Sequence, residues 1–252
     1  MRILLFGASR NIGYAAAKRL LAQGHTCTFL LRRPEAMESG ASMAAYIKEG
    51  KAKLVHGDGL VEADVQRAWD TAKSDGEVDI VIYSIGAEGS LSLLKGVVIT
   101  PHDITARGMA VLLSVIQSST TPATRPKLVT VTVNASEPRT YSLLPILIKF
   151  LYSWVIRMPV ADKAEQEKNI KRATGQDGSG QGWMPAENVT IVRPAILTDG
   201  ECVGDKKADG YRTGDELPNV WTISRADVAH FIAEKVLTDW GKWGGKAWAI
   251  GY

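Results

Sequence analysis

The sequence predicts an α/β fold built on a doubly wound parallel sheet with helices on both faces. Short apolar runs alternate with helix-like runs along the whole chain of 252 residues. The runs are apolar on both faces, which is typical of parallel strands covered on both sides. The length suits one domain, 1–252, because a chain of this size can bury most of its surface.

The predicted strands and helices follow one another in strict alternation, which requires right-handed crossovers between parallel strands. The predicted strands cover 2–6, 26–31, 52–56, 80–85, 128–133, 189–192 and 247–250. The predicted helices cover 13–23, 37–48, 60–72, 104–118, 160–172 and 225–237.

The composition excludes several classes of protein. A hydrophobic content of 45% and a charged content of 23% are ordinary for a soluble globular protein. The net charge of +3 comes without a basic stripe, which argues against a nucleic-acid partner. The two cysteines fit free thiols in a reducing compartment, so we expect a cytoplasmic protein. The four histidines lack ligand spacing, so we expect no metal site.

Two segments between the regular elements are expected to shape a pocket. Segment 141–160 is strongly apolar, but Pro145, Lys149 and Arg157 interrupt it, so a membrane span is not expected. A helix or loop that covers a pocket or an oligomer interface is the preferred interpretation, and a membrane-surface role is a weaker alternative. Segment 174–188 is rich in Gly, Gln and Ser and is predicted to be a mobile surface loop.

The first predicted strand ends in a glycine turn. The apolar run stops at Gly7, Gly13 follows six residues later, and a helix-like segment begins at once. Such a turn places free N–H groups and the helix dipole where they can hold the diphosphate of a dinucleotide. Gly7 would allow the tight turn, and Gly13 the close packing of helix, strand and ligand. Further cofactor contacts are expected from the loop between them, which contains Ser9, Arg10, Asn11 and Ile12.

Two arginines, Arg32 and Arg33, end the second predicted strand, about one βαβ half-unit after the glycine turn. An acidic residue here would bind the ribose hydroxyls of NAD, whereas basic residues suit the adenosine 2′-phosphate of NADP. A guanidinium binds phosphate in bidentate fashion, and Arg10 can reach the same group. We therefore expect NADP(H) as the cofactor. The alternative is a pair of solvated strand-end charges.

The third and fourth predicted strands end in small and polar residues. Asp58, followed by Gly59, can accept a hydrogen bond from the adenine amino group or cap the next helix, and both interpretations stay open. Small residues at the end of the fourth strand would let the backbone approach the cofactor closely. These residues are Ser84, Ile85 and Gly86. All four strand ends are expected along one carboxyl edge, where open α/β sheets bind ligands.

These motifs together resemble the atypical branch of the short-chain dehydrogenase/reductase superfamily. The amino-terminal half contributes GASRNIG and the strand ends just described. The carboxyl-terminal half contributes KAEQE, TIVRPA and ISRADVA, starting at residues 163, 190 and 223. That order is similar to NmrA-like, biliverdin/flavin reductase-like and isoflavone reductase-like proteins. The resemblance implies a Rossmann-type domain, with the nicotinamide near Pro194, Ala195 and Ile196.

The chain departs from this superfamily at the catalytic pair. Typical members carry Tyr-x-x-x-Lys on one helix face, in which the lysine lowers the tyrosine pKa for proton transfer. Here Tyr141 is followed four residues later by proline, and Tyr152 by isoleucine. Thr132 and Asn134 stand where the fifth strand ends, and Ser136 follows closely. We expect Thr132 to contact the cofactor.

Two residues are therefore candidates for the chemistry. The resemblance implies that Lys163, with Glu167 four residues later, contacts the cofactor ribose and assists proton transfer. The alternative is an i,i+4 ion pair on a helix surface. Tyr141 could donate its hydroxyl to a substrate carbonyl, although packing beside the apolar segment is the slightly favoured alternative.

Part of the carboxyl-terminal half is expected to be scaffold. Ser224 can cap the helix that follows it, and Asp227 favours the positive end of that helix. Arg193 and Arg225 are expected to form structural ion pairs.

The sequence therefore predicts an NADPH-dependent oxidoreductase that reduces a small, largely apolar carbonyl or conjugated substrate. Its pocket would be built mainly from 136–162, 174–188 and 195–222. Two alternatives stay open, an NADP(H)-sensing binding protein without catalysis and a non-redox isomerase or cyclase on the same fold. The expected partner is a small molecule, and a homodimer is compatible with the sequence.

Overall fold

The structure is a computed structural model that describes residues 1–86, 89–92 and 96–252. Its strands are β1 (Arg2–Phe6), β2 (Thr26–Leu31), β3 (Ala52–His56), β4 (Ile80–Tyr83), β5 (Gly89–Ser92), β6 (Gly96–Ile99), β7 (Lys127–Val131), β8 (Val189–Pro194), β9 (Ile196–Thr198), β10 (Arg212–Gly214), β11 (Thr222–Ser224) and β12 (Ala247–Gly251).

The α-helices lie between these strands in the alternation that the sequence predicts. They are α1 (Asn11–Ala22), α2 (Glu35–Glu38), α3 (Ala41–Lys48), α4 (Glu62–Lys73), α5 (Ile104–Ser119), α6 (Pro138–Ser142), α7 (Ile146–Phe150), α8 (Arg157–Thr174), α9 (Arg225–His230) and α10 (Trp240–Trp243). Two π-helical turns, Leu151–Val155 and Phe231–Val236, and a 3₁₀ turn, Ala186–Asn188, complete the regular structure.

Eight strands form the central sheet in the order β10-β12-β8-β7-β4-β1-β2-β3. All neighbours are parallel except β10, which is antiparallel to β12 at one edge. The chain winds outward from β1 in both directions, so the strand order reverses between β1 and β4. The predicted doubly wound α/β fold is confirmed, and its reversal point is where such sheets bind ligands.

The core consists of two apolar layers, one on each face of the sheet. Successive residues of β1 alternate between them: Ile3 and Leu5 pack on the α1 and α9 side, whereas Leu4 and Phe6 pack on the side of α4, α5 and α8. All four side chains are almost completely buried. Burial on both faces explains why the sequence shows apolar runs rather than polar alternation.

The structure corrects several predicted boundaries. The predicted helix 37–48 is broken at Ser39 and Gly40 into α2 and α3, because the backbone of Gly40 is extended. The predicted helix 225–237 changes from α-helical to π-helical after His230. The sequence reasoning missed the β5–β6 hairpin, the short β9–β11 pair, edge strand β10 and helices α6 and α7. In the described parts of the chain, no helix combines the length and apolar character needed to cross a membrane.

Candidate functional site

The glycine turn lies at the carboxyl end of β1, directly beside the end of β4. Gly7 has a φ of +72°, and a Cβ on it would lie 2.5 Å from the backbone nitrogen of Ile85. A Cβ on Gly13 would lie 2.8 Å from Cα of Ala8 and would also collide with the hydroxyl of Ser84. Gly7 is therefore required by the positive φ of the tight turn and by the nearby Ile85 backbone, and Gly13 is required by the close packing of helix and strand.

Helix α1 begins at Asn11 without a side-chain cap and without an acidic residue in its first turn. Its N-cap residue, Arg10, is extended, and Asn11 has a φ of +57°, which non-glycine residues adopt infrequently. Ser9, Arg10 and Asn11 are exposed, whereas Ile12 is buried. A twelve-residue helix with an uncapped N-terminus presents free N–H groups to an anion, so this loop fits a diphosphate.

The cations predicted to select NADP lie at the same edge of the sheet. Arg32 and Arg33 directly follow β2, which is the neighbour of β1, and both are exposed. Neither guanidinium has an ion-pair partner within residues 1–86, 89–92 and 96–252. Together with Arg10 they form a positive rim around the glycine turn, which suits a phosphate at the ribose end of a dinucleotide.

Asp58 forms a local turn rather than a helix cap. Its Oδ1 accepts a hydrogen bond of 2.9 Å from the backbone N–H of Leu60. Helix α4 begins at Glu62 and its N-cap is Val61, so the capping alternative is wrong. A Cβ on Gly59 would lie 3.0 Å from the side chain of Ile85, so the loop that follows β3 reaches the residues that follow β4. The adenine contact of Asp58 and Gly59 stays a prediction.

Two residues that follow β4 differ in their surroundings: Ser84 is hydrogen-bonded to β1, and Gly86 has free space beside its Cα. The hydroxyl of Ser84 donates 3.0 Å to the carbonyl of Phe6, which fastens the β4 end to β1. A Cβ on Gly86 would meet no protein atom within 4 Å, so the described residues place no steric demand for glycine there. The close approach expected at Gly86 would have to involve a ligand.

Lys163 joins the ends of two central strands. Its ammonium donates to the carbonyl of Ile85 at 2.7 Å, to the carbonyl of Val131 at 2.9 Å and to Oε1 of Gln166 at 3.0 Å. Desolvation by burial lowers the pKa of Lys163 to about 8, against the opposing charges of Asp162 and Glu167. The structure thus places a cation that can release its proton near neutrality where β4 and β7 end.

Two buried contacts on either side of Lys163 hold helix α8 in place. The carboxylate of Asp162 accepts hydrogen bonds of 2.9 Å from the backbone N–H groups of Thr105 and Ala106, at the start of α5. The carboxylate of Glu167 accepts hydrogen bonds of 3.1 and 2.5 Å from Arg193 on β8. These contacts join α8 to α5 and to β8, and they therefore position Lys163 relative to the sheet.

The pairing of Lys163 with Glu167 as neighbours on a helix surface is wrong. Glu167 is buried and binds Arg193 and the hydroxyl of Thr132, the latter at 2.6 Å. Thr132 is itself 5% exposed, and its hydroxyl is committed to α8. Its cofactor contact stays a prediction that would need another atom of the residue. The position one helical turn before Lys163 is Pro159, so proline stands where a Tyr-x-x-x-Lys pair would carry its tyrosine.

Asn134 has a buried amide without protein partners. The residue is 1% exposed, and neither Oδ1 nor Nδ2 has a hydrogen-bond partner within the described residues. The hydroxyl of Ser136 is likewise buried and unpartnered there. The backbone N–H of Asn134 donates 3.1 Å to the carbonyl of Pro194, so Asn134 lies beside the residues expected to flank the nicotinamide. Unpaired buried amides are rare and point to a missing polar partner.

The apolar segment covers this region, with Tyr141 in it. The Tyr141 hydroxyl donates 3.2 Å to the carbonyl of Lys149, and Tyr141 packs against a buried cluster that includes Ala135 and Leu144. Ala195 is buried and its N–H donates to Ile250, while Ile196 begins β9 at the rim. The packing alternative for Tyr141 therefore matches the geometry, and its catalytic role stays a prediction.

The expected scaffold contacts are present in the carboxyl-terminal half. The Ser224 hydroxyl accepts a hydrogen bond of 2.9 Å from the N–H of Asp227 and caps α9. Arg225 pairs with Asp199 at 2.6 Å, and Arg193 pairs with Glu167 and Glu137.

A cleft of about 530 Å³ lies along α8, below the carboxyl edge. Its walls include Glu137, Gln176 and Glu216, one from each of the three predicted pocket ranges. They also include Lys171 of α8 and Arg193 of β8, which lie outside those ranges. Charged residues of the cleft pair with one another or with a neighbour: Glu137 binds both Lys171 and Arg193, and Arg193 also binds Glu167. Lys171 is eight residues from Lys163, about 12 Å along the helix, so this cleft is separate from the lysine site.

Comparison with known proteins agrees with this geometry. The NAD(P)H-binding family model matches residues 7–239. Reductase pytE of Aspergillus terreus is 26% identical over 270 residues, covering 99% of this chain and 97% of its own length. ChuY, an anaerobillin reductase from Escherichia coli O157:H7, matches with a TM-score of 0.64 and 16% identity, covering 98% of this chain and 95% of its own.

A second similar solved structure is a complex with NADP. A short-chain dehydrogenase from Burkholderia cenocepacia J2315 in complex with NADP matches with a TM-score of 0.64 and 18% identity, over 98% of this chain and 95% of that one. The resemblance to the atypical short-chain dehydrogenases/reductases is confirmed, and the fit of the glycine turn to a nicotinamide dinucleotide is consistent with it. The chain belongs to the NAD(P)H-binding family.

Proposed function

We propose that this protein is an NADPH-dependent oxidoreductase that reduces a small, largely apolar carbonyl or conjugated compound. The observation that carries the proposal is Lys163, a half-buried ammonium with a pKa of about 8 at the ends of β4 and β7. It lies at the ligand-binding edge of a sheet whose reversal point carries a phosphate-binding turn. The reductase relative over nearly the full chain supports the reaction class.

The residues present fit an NADP(H) dinucleotide. The uncapped start of α1 and the glycine turn would hold the diphosphate, Arg10, Arg32 and Arg33 the adenosine 2′-phosphate, and Asp58 the adenine. Pro194, Ala195 and Ile196 would flank the nicotinamide. When bound, the cofactor supplies a hydride to the substrate.

Lys163 supplies the proton that such a reduction consumes. All three N–H donors of its ammonium are engaged, two by backbone carbonyls and one by Gln166. The carbonyls belong to fixed strand ends, so the Gln166 side chain is the partner that a ligand oxygen can replace. A lysine with a lowered pKa is a better proton donor near neutral pH than an ordinary one.

The substrate pocket is proposed between the strand ends and the apolar segment. Asn134 and Ser136 offer unpartnered polar groups that can bind a substrate oxygen. Around them, Ala135, Leu144 and Ile148 form an apolar wall. A pocket with few polar groups among apolar side chains orients an apolar substrate by its single polar function.

The test begins with cofactor choice and continues with turnover. Purified protein is titrated with NADPH and with NADH while nicotinamide fluorescence is followed, and then assayed for NADPH oxidation with carbonyl, enone, quinone and flavin compounds. We expect tighter binding of NADPH and turnover of at least one apolar compound. A preference for NADH would overturn the role of the three arginines, and tight NADPH binding without turnover would overturn the catalytic proposal.

Two observations favour a second function, an NADP(H)-sensing regulator. Pro159 replaces the tyrosine of the usual pair, and Tyr141 is tied to a backbone carbonyl. A sensor would bind NADPH and NADP⁺ with different affinities and change its affinity for a protein partner accordingly. Equal affinities for the two redox forms would count against it.

A further inference from the structure

The apolar segment presents an exposed stripe of large side chains on its outer face. Ile146 is 83% exposed, Leu147 69%, Phe150 64% and Trp154 44%. The three residues of α7 fall within about 100° of the helix circumference. The rings of Phe150 and Trp154 lie 6.0 Å apart, which continues the stripe into the π-helical turn. Contiguous exposed apolar surface of this kind marks an interaction site.

The stripe is backed by a packed interior. On the opposite face of the same segment, Leu144, Ile148 and Tyr152 are 3–7% exposed and form a small core cluster. Strand β6 supports the turn, since a Cβ on Gly96 would lie 2.5 Å from the carbonyl oxygen of Trp154. The outward side chains are therefore held in place by packing beneath them.

The charged residues of the segment that carries the stripe are all basic. Residues 138–161 contain Arg139, Lys149 and Arg157 and no acidic residue. Arg139 pairs with Glu216, but Lys149 and Arg157 have no ion-pair partner within the described part of the chain. Two available cations beside an apolar stripe complement an anionic lipid surface.

A second copy of this chain fits the stripe less well. An isologous contact through it would bring Lys149 and Arg157 against the same cations of the other copy. Segment 138–161 offers no carboxylate to neutralise them, and like charges across an interface oppose association. Anionic headgroups supply the missing charge, while tryptophan and phenylalanine are the side chains that favour the membrane–water boundary.

We propose that the face formed by Ile146, Leu147, Phe150 and Trp154 docks this protein on an anionic lipid bilayer. The helix lies in the plane of the interface, with its apolar stripe among the upper acyl chains and with Lys149 and Arg157 at the headgroups. The buried face of the same segment lines the proposed substrate pocket. Docking would therefore favour lipid-dissolved substrates, a consequence that rests on the proposed function.

The experiment is flotation of the full chain with phosphatidylcholine vesicles, with and without phosphatidylserine, at low and high salt. We expect binding that requires phosphatidylserine and weakens at high salt. The double variant Ile146→Gln with Phe150→Gln should lose about tenfold or more in vesicle affinity, because two exposed apolar anchors are removed. Its matched control is Val61→Gln, an exposed apolar position on α4's N-cap.

Two double variants distinguish the effect of charges beside the stripe from the effect of net charge. Lys149→Glu with Arg157→Glu should weaken binding on the order of tenfold or more. Lys48→Glu with Lys207→Glu changes the net charge equally at exposed positions elsewhere and should have a small effect. Flotation needs neither NADPH nor turnover, so its result is independent of the proposed reaction.

Three results would overturn the docking proposal. The first is no flotation with phosphatidylserine vesicles at low salt, and the second is equal flotation of wild type and the Ile146→Gln, Phe150→Gln variant. The third is a wild-type dimer in sedimentation that this variant abolishes, which would assign the face to a second copy. Quenching of tryptophan fluorescence by bromine-labelled lipid, compared between wild type and Trp154→Phe, gives a measurement that does not depend on the polar variants folding.

Discussion

The two sides of the carboxyl edge differ in the groups that form the candidate site. On the β1–β2 side, the site consists of backbone geometry and exposed cations: a left-handed Gly7, an uncapped α1 and Arg32 with Arg33. On the β7–β8 side, it consists of buried side chains: Lys163 bridges β4 and β7, and the amide of Asn134 has no hydrogen-bond partner among the described residues. In the proposed function, the first side would bind the phosphates of the cofactor, and the second side would bind the substrate and carry the chemistry.

Lys163→Met tests the β7–β8 side with the largest expected effect. Removal of the proton source should lower kcat by about 10²–10⁴-fold, while NADPH affinity changes less. In the wild type, kcat should fall above pH 8, by about tenfold per pH unit, as Lys163 loses its proton. The measurement is steady-state kinetics across pH.

The control for this variant is Lys168→Met, an exposed lysine on the same helix. It should keep both the rate and the pH profile of the wild type. A wild-type rate in Lys163→Met would exclude the lysine from the chemistry, and it would favour the cofactor-sensing function.

Gly7→Ala tests the backbone side. The added Cβ is strained at positive φ and collides with the Ile85 backbone, so the free energy of unfolding should fall by more than about 3 kcal/mol. Gly24→Ala is the matched control, because Gly24 has a φ of +86° but a Cβ there meets nothing within 4 Å. It should cost about 1 kcal/mol. Urea unfolding measures both, and equal losses would show that close approach of β1 and β4 is unimportant.

Arg32→Ala with Arg33→Ala tests cofactor choice on the same side. Loss of charge-assisted hydrogen bonds to a phosphate should weaken NADPH binding by about tenfold to hundredfold and leave NADH binding nearly unchanged. Fluorescence titration with both cofactors measures the ratio. Unchanged activity of the double variant would instead favour a non-redox reaction with a vestigial cofactor site.

Asn134→Leu tests whether a polar group is kept for a ligand. Removing an unpartnered buried amide should raise the free energy of unfolding by about 1 kcal/mol, while kcat/KM falls about tenfold. Asn169→Leu is the contrasting control, since its amide donates to the carbonyl of Ala106 and its loss should destabilise the fold. A destabilised Asn134→Leu protein with normal kinetics would contradict a ligand-binding role.

Tyr141→Phe is expected to have the smallest effect. Its hydroxyl donates to the carbonyl of Lys149, so the variant should lose about 1 kcal/mol in the free energy of unfolding and keep kcat within about twofold. Chemical denaturation and turnover measure the two quantities. A large loss of kcat would restore Tyr141 as a proton donor and would place part of the chemistry in the apolar segment.

Features that are local in sequence were predicted correctly, and features without a local pattern were missed. The seven predicted strands match β1–β4, β7, β8 and β12 closely, because strands buried on both faces leave a continuous apolar run. The roles expected of Gly7 and Gly13 agree with the geometry, because a strand–turn–helix unit is local in sequence. The short pairs β9–β11 and β5–β6 and helices α6 and α7 left no comparable periodicity and were missed.

Errors at the site arose where partners are distant in the chain. Glu167 was expected beside Lys163 by helical spacing, but it pairs with Arg193, 26 residues away, because both are buried and neither charge can stay unpaired there. The error at Asp58 has a local cause instead, because its carboxylate accepts from the N–H of Leu60 two residues later and helix α4 begins only at Glu62. The break at Gly40 and the π-helical turns also depend on packing that no local pattern contains.

The α/β order, the glycine turn and the cations that follow β2 could be predicted from the sequence, because these features depend on residues close together in the chain. Three features became visible only in the folded protein: Lys163 bridges β4 and β7, the Asn134 amide is buried with no partner among the described residues, and one face of the apolar segment is exposed. Burial and hydrogen-bond pairing are properties of elements brought together by folding, and they set the pKa of a lysine and the availability of an amide.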